Sequence, residues 1–159
     1  MLINRYKSYM EMIKNSVGTR MFKSLIADVD GEQQDILEGG VLSCAKFVSS
    51  LLYLNKLIDD VHAMTPSLVK NMERNGWIKI KDDDLRPGAV VVWKARPYPD
   101  GSQVPHIGFV IENGEVISTS PVKGEVVRHP INYLKSRDDI SDGKREVESV
   151  YWHPKFDAS

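Results

Sequence analysis

Cys44 is the only thiol in the chain, and it stands just after Gly39-Gly40 and ahead of Phe47-Val48 and Leu51-Leu52. That apolar spacing predicts a helix beginning near Ser43. Unpaired amides and the dipole at a helix start favour an anion, so a thiol there is expected to lose its proton more easily. A thiolate is a strong nucleophile toward acyl groups. The competing reading is a free cysteine that serves as a small buried hydrophobe. His106 follows Pro105 and opens Ile107-Gly108-Phe109-Val110-Ile111, a strand pattern. An imidazole at the start of that strand can point at the first turn of a helix packed on the sheet. Thiol and imidazole would then form a nucleophile–base pair, the chemistry of cysteine hydrolases. The competing reading is a surface histidine at a strand end.

A hydroxyl near the imidazole would orient it, and Ser118, Thr119 and Ser120 are the candidates. Asn113-Gly114 marks a hairpin between the strand after His106 and Glu115-Val116-Ile117-Ser118. With a three-residue loop, Glu112-Asn113-Gly114, Ile111 pairs with Glu115, and Ser118 and Ser120 share a face with His106. With Asn113-Gly114 alone as the loop, Thr119 takes that face instead. The backbone N–H of Cys44 is the first candidate for an oxyanion donor, with Gln33 or Gln34 as a side-chain alternative. Trp93, Tyr98 and the loop 94–105 are possible cleft walls. His62 follows a helix end, where a charged imidazole is stabilised without any function. His129 and His153 each precede a proline in polar surroundings and read as structural. No histidine pair has metal-ligand spacing and one cysteine cannot build the common zinc sites, so no metal and no cofactor is expected.

The elements that must position these groups follow from periodicity. Residues 2–26 read as an amphipathic helix, through Leu2, Ile3, Tyr6, Met10, Ile13, Val17, Phe22 and Leu25, with Gly18 as the point where it can break or kink. Its stripe is expected to pack on the domain, with a partner-binding role as the alternative. Residues 28–40 are polar and glycine-containing and read as a loop. The helix from Ser43 is expected to run to Asp59-Asp60. A third helix opens at Thr65-Pro66, with Thr65 as N-cap, and stops at Asn75-Gly76. After Gly76 the period changes. Strands are expected at 77–80, 89–93, 107–111, 115–118, 126–127 and 147–152, with a loop over 94–105 and a charged, turn-rich stretch over 135–146. Helices first and an antiparallel meander afterwards make an α+β domain, with N-terminal helices packed on a sheet of five to six strands. One domain over 1–159 is expected, with a helix and loop over 1–34 and the core over 35–159.

Composition narrows the function classes. The 159 residues carry 21 basic and 22 acidic side chains, a net charge of -1, which disfavours dedicated nucleic-acid binding. No apolar run approaches the ~20 residues of a membrane span. The N-terminus, Met1-Leu2-Ile3-Asn4-Arg5, has no signal-type apolar core, so a cytoplasmic location or export without a signal peptide is expected.

Three segments carry a family resemblance. Ser43-Cys44-Ala45-Lys46-Phe47-Val48 resembles the nucleophile motif of the NlpC/P60 and CHAP cysteine hydrolases, papain-like amidases and peptidases. Residues 85–93, Leu-Arg-Pro-Gly-Ala-Val-Val-Val-Trp, are similar to the family's Leu-x-Pro-Gly-Asp segment, and Pro105-His106-Ile107-Gly108 with the hairpin after it resembles the histidine strand. They occur in family order across residues 43–118. The family usually has aspartate before the cysteine, serine-glycine after it and aspartate after Pro-Gly; here Ser43, Ala45, Lys46 and Ala89 stand there. The resemblance implies a papain-like layout, Cys44 as nucleophile, His106 as base and Ser118 at the third position. It implies a peptide or peptidoglycan-type amide as substrate. Two other readings use the same residues: a catalytically silent module that binds a partner in the old cleft, and an acyltransferase.

Overall fold

Two tyrosines on successive turns fix the first helix to the sheet. In the computed structural model, which describes residues 1–97, 101–135 and 143–158, α1 spans Arg5–Asn15 and is capped by the Asn4 side chain on Lys7 N–H. Tyr6 donates its hydroxyl to Pro87 O at 2.8 Å and Tyr9 to Gly88 O at 2.9 Å. The helix stops well short of residue 26. Ser16 turns its hydroxyl onto Ile13 O at 2.6 Å, and Gly18 takes φ +90°. Backbone bonds then tie Gly18 and Thr19 to Val126. The continued apolar spacing was misleading because Val17, Met21 and Ile26 are exposed.

The expected loop 28–40 holds a hairpin, β1 (Ile26–Val29) with β2 (Glu32–Asp35). Its two-residue turn, Asp30-Gly31, has positive φ at both positions, the geometry that matches the twist of paired strands. The pair carries no apolar alternation, so its sequence resembles a loop. The Asp35 carboxylate then accepts from Leu25, Leu37 and Gly39 N–H at 3.0, 3.1 and 2.9 Å. Those bonds hold its carboxyl below the usual range and anchor the turn that leads into α2 (Cys44–Leu54). This helix ends at Leu54 rather than at Asp59-Asp60; Lys56 takes φ +58° and breaks it, while Leu57 and Ile58 still reach the core. The third helix, α3, spans Thr65–Arg74 with Met64 rather than Thr65 as its N-cap.

Six strands form an antiparallel sheet: β3 (Ile78–Ile80), β4 (Val90–Pro97), β5 (Gln103–Val110), β6 (Glu115–Ser120), β7 (Glu125–Pro130) and β8 (Val147–Trp152). Their order is β3-β8-β4-β5-β6-β7, so the last strand lies inside the sheet, between β3 and β4. The architecture is α+β, with three helices, this sheet and the two-stranded β1–β2 sheet among the described residues. Strand pairing continues into the stretch read as a loop: Arg96 pairs with Val104 and Pro97 with Gln103, past an irregularity after Trp93. Tyr98 and residues 136–142 lie outside the described residues. The helices cover one face of the sheet. Phe47 of α2 meets Phe109 edge-on at 5.5 Å, and Tyr9 of α1 meets the same ring at 5.9 Å. Tyr9, Met10 and Ile13 belong to the same buried cluster as α2, α3 and the sheet, so α1 packs at home. No helix among the described residues is long and apolar enough to cross a membrane.

Candidate active site

Side chains alternate across a strand, so Ile107 and Phe109 share the helix-covered face of β5, while His106 and Gly108 point to the other. Pairing carries that second face across the sheet. Trp93 lies opposite His106 on β4. Ile111 N–H bonds to Glu115 O at 2.9 Å, and Phe109 pairs with Ile117. The hairpin loop is therefore Glu112-Asn113-Gly114, with Asn113 and Gly114 at φ +60° and +71°. That register sets Ser118 on the His106 face. On β7, Val116 pairs with His129, which brings His129 to the same face.

The result is a chain of polar side chains, buried at His106 and Ser118 and half-buried at His129. His106 Nε2 lies 2.9 Å from Ser118 Oγ, and Ser118 Oγ lies 2.6 Å from His129 Nε2. His129 Nδ1 lies 2.8 Å from Pro130 O. Of the three candidate hydroxyls, Ser118 is the one against His106. Thr119 falls on the opposite face by alternation, and Ser120 Oγ accepts from Lys123 N–H at 3.2 Å in the β6–β7 turn. The Trp93 ring packs on both imidazoles, 5.1 Å from His106 and 5.8 Å from His129 at similar tilts of 34° and 35°. Its own Nε1–H donates to Ile131 O at 2.6 Å. Gly108 makes room for this packing: a Cβ there would sit 2.8 Å from Ile117 O, 2.9 Å from Ser118 Cβ and 3.2 Å from the Trp93 ring.

Cys44 reaches the same region from the helix side. The β5–β6 pairing covers Phe109 and Val110 and goes no further toward His106, although β6 runs on to Ser120 against β7. Val110 N–H bonds across to Ala89 O, so by alternation the Ile107 N–H turns toward β6. There, where the ladder has opened, it faces the Cys44 sulfur and favours its anion, as do the Thr65 hydroxyl and the Ala45 amide. As the first residue of α2, Cys44 also has its own N–H among the amides that a helix start leaves unpaired. The thiol is thus one peptide unit from His106. Gln33 and Gln34 are exposed on β2.

Electrostatics overturn the expectation of an easily ionised thiol. Cys44 is 8% exposed and His106 4%. Burial pushes the thiol up, against those donors and the Arg145 charge. Burial also holds His106 well below its ordinary value, helped by the positive charges of Arg145 and Arg96 and by any protonation of His129 beside it. Burial lowers His129 as well. A helix end contributes 0.3–1 kcal/mol to an exposed anion, whereas burying a charge costs several kcal/mol per ion, so burial wins. At neutral pH both shifts favour the uncharged thiol and the uncharged imidazole.

No family model matches the chain, and no curated protein or solved structure matches it. Among the described residues, no group of three or more His, Cys, Asp or Glu is placed to hold a metal ion.

The other histidines divide. His62 sits between α2 and α3, where its N–H and carbonyl both bond to Ser49 Oγ, at 2.9 and 3.1 Å. His153 is structural, with Nε2 on Asn75 O at 2.9 Å and Nδ1 accepting from Lys155 N–H at 3.1 Å. His129, read as structural from its sequence context, lies in the polar chain. Its signal was strand parity, which needed the β6–β7 register. Trp93 and Gly108 share the site for the same reason.

Proposed function

We propose that the protein is a cysteine hydrolase of amide bonds. The observation that carries this reading is the opened β5–β6 ladder. It sets the Cys44 sulfur against the amide next to His106, while Ser118 holds Nε2 of that ring. The helix that bears the cysteine precedes a meander with the histidine on its second strand and the hydroxyl on its third. That order supports a papain-like layout of the NlpC/P60 kind. In the reaction, the thiol proton passes to His106 Nδ1 as the sulfur attacks the substrate carbonyl carbon. The oxyanion is met by the Cys44 backbone N–H. His106 returns the proton to the departing nitrogen as the C–N bond breaks, leaving an acyl thioester. Water then attacks the thioester and gives a proton to His106, which restores the thiol. A neutral resting pair fits proton transfer during attack better than a standing ion pair. The substrate class proposed is a peptide or peptidoglycan-type amide, and an amine or alcohol in place of water would make the same dyad an acyltransferase.

The test is turnover of muropeptides and of unmodified peptides, followed by mass spectrometry, with wild type, Cys44→Ala and His106→Ala. The expected result is cleavage by wild type, with losses of roughly a thousandfold or more in both variants. One observation favours a catalytically silent binding module instead: both groups are almost fully buried. No cleavage by wild type, together with Cys44 alkylation that His106→Ala leaves unchanged, would establish that second reading.

A further inference from the structure

We infer that His129 is a positioning residue for Cys44 chemistry, acting through Ser118 to leave His106 Nδ1 unprotonated; this rests on the hydrolase reading of the site. The argument starts at the outer end of the chain. Pro130 O can only accept, so His129 Nδ1, 2.8 Å away, must carry a proton. A neutral His129 then has a bare Nε2, and the Ser118 hydroxyl, 2.6 Å away, donates to it. Ser118 has one proton, and that bond uses it. Its second contact, 2.9 Å from His106 Nε2, is therefore a bond that Ser118 accepts. His106 carries its proton on Nε2, and Nδ1 keeps its lone pair. A single backbone carbonyl on β7 thus sets the direction of three hydrogen bonds over three strands.

The surroundings support that direction. Burial disfavours the protonated form of His129, against the backbone bonds to Pro130 and Tyr133 and the Glu115 charge and with Arg145 adding to it, so with Nδ1 on Pro130 O the other ring nitrogen stays bare. Trp93 lies against both rings and restrains them from flipping. Without the acceptor at 129, the Ser118 hydroxyl can instead donate to His106 Nε2. The proton of His106 then moves to Nδ1, and no lone pair remains for the thiol.

The deciding experiment reads the His106 tautomer directly, by 15N chemical shifts of the imidazole nitrogens, in wild type, His129→Leu, His129→Gln and Ser118→Ala. Folding of each variant is checked by circular dichroism. Wild type is expected to show protonated Nε2 and bare Nδ1. His129→Leu and Ser118→Ala are expected to lose that preference, and Cys44 alkylation by iodoacetamide at neutral pH is expected to fall about tenfold. His129→Gln, whose amide oxygen accepts from Ser118, is expected to restore both. If His129→Leu does not fold, Ser118→Ala and His129→Gln carry the comparison. A protonated Nδ1 in wild type overturns the inference, and so do variants with the wild-type tautomer or the wild-type alkylation rate. The two readings fail separately. An inactive wild type with bare Nδ1 overturns the hydrolase, and an active wild type with protonated Nδ1 overturns the relay.

Discussion

His129 and His153 share a local sequence, a histidine followed by proline at the end of a strand, yet the fold puts them to opposite uses. His153 has both ring nitrogens on backbone groups, Asn75 O and Lys155 N–H. Aromatic rings surround it: Trp77 edge-on at 5.4 Å and Phe156 at 6.1 Å. Every hydrogen-bonding direction there ends on the main chain, so the ring joins α3, β8 and the C-terminal turn and does nothing more. His129 has one nitrogen on a backbone carbonyl and the other on a side-chain hydroxyl that continues to His106. A histidine held only by backbone is a brace, and one that passes a bond to another side chain can set a protonation state. Which of the two a His-Pro becomes depends on what the neighbouring strand presents.

The contrast can be broken at two glycines, Gly108 against Ser118 and Trp93 and Gly76 beside His153. Gly108→Ala forces a Cβ to 2.8 Å from the Ile117 carbonyl and 2.9 Å from Ser118 Cβ, within a ladder that cannot easily yield. We expect a loss on the order of 3 kcal/mol in denaturant unfolding. Ser118 is expected to move off His106, with Cys44 alkylation altered in the remaining folded protein. Gly76→Ala meets nothing closer than His153 Nε2 at 3.6 Å and pays only for its φ of +94°, about 1 kcal/mol. Its alkylation profile should match wild type.

Replacing the brace sharpens the comparison. His153→Phe keeps the ring shape but leaves Asn75 O and Lys155 N–H unmet, which should cost about 2 kcal/mol. Cys44 alkylation should be unchanged. A change in alkylation would mean that the two ends of the sheet are coupled and the contrast is wrong.

The smallest expected effect is on pH dependence. His106, His129 and His153 are all held below their ordinary values, chiefly by burial. A depressed histidine is neutral in the fold, so below about pH 6.5 the unfolded chain takes up the proton first and stability falls. Stability is thus full above that pH and declines toward pH 5, by at most about 1.4 kcal/mol per pH unit for each histidine kept neutral. For His106 burial is the largest cause, and Arg145, His129 and Arg96 act in the same direction. His106→Asn should flatten the slope of unfolding free energy against pH, measured between pH 5 and 7. An unchanged slope would show that His106 takes up its proton as readily in the folded protein as in the unfolded chain.

Much of this was legible in the chain, for a definite reason. Local signals act over a few residues, and several were unambiguous. Asn113-Gly114 specified the hairpin, Thr65-Pro66 and Asn75-Gly76 bounded α3, and the apolar run after Cys44 specified the helix that carries it. Ser118 was within reach because one short loop relates it to His106, and only the loop length had to be settled. Where local signals misled, burial decided otherwise. Val17 and Met21 kept the helical spacing but face solvent, and the β1–β2 hairpin has no apolar face to announce it.

The tertiary structure alone decided the rest. His129 is 23 residues from His106 by their numbers and meets it through two strand registers. A shift of one residue in either would turn its ring to the other face. The state of Cys44 was likewise beyond the sequence. A helix start by itself favours the thiolate, but the charge balance belongs to burial, and burial is set by every element packed around the sulfur. Strand pairing and solvent exclusion are properties of the assembled sheet, which is why the residue types were readable along the chain and their protonation was not.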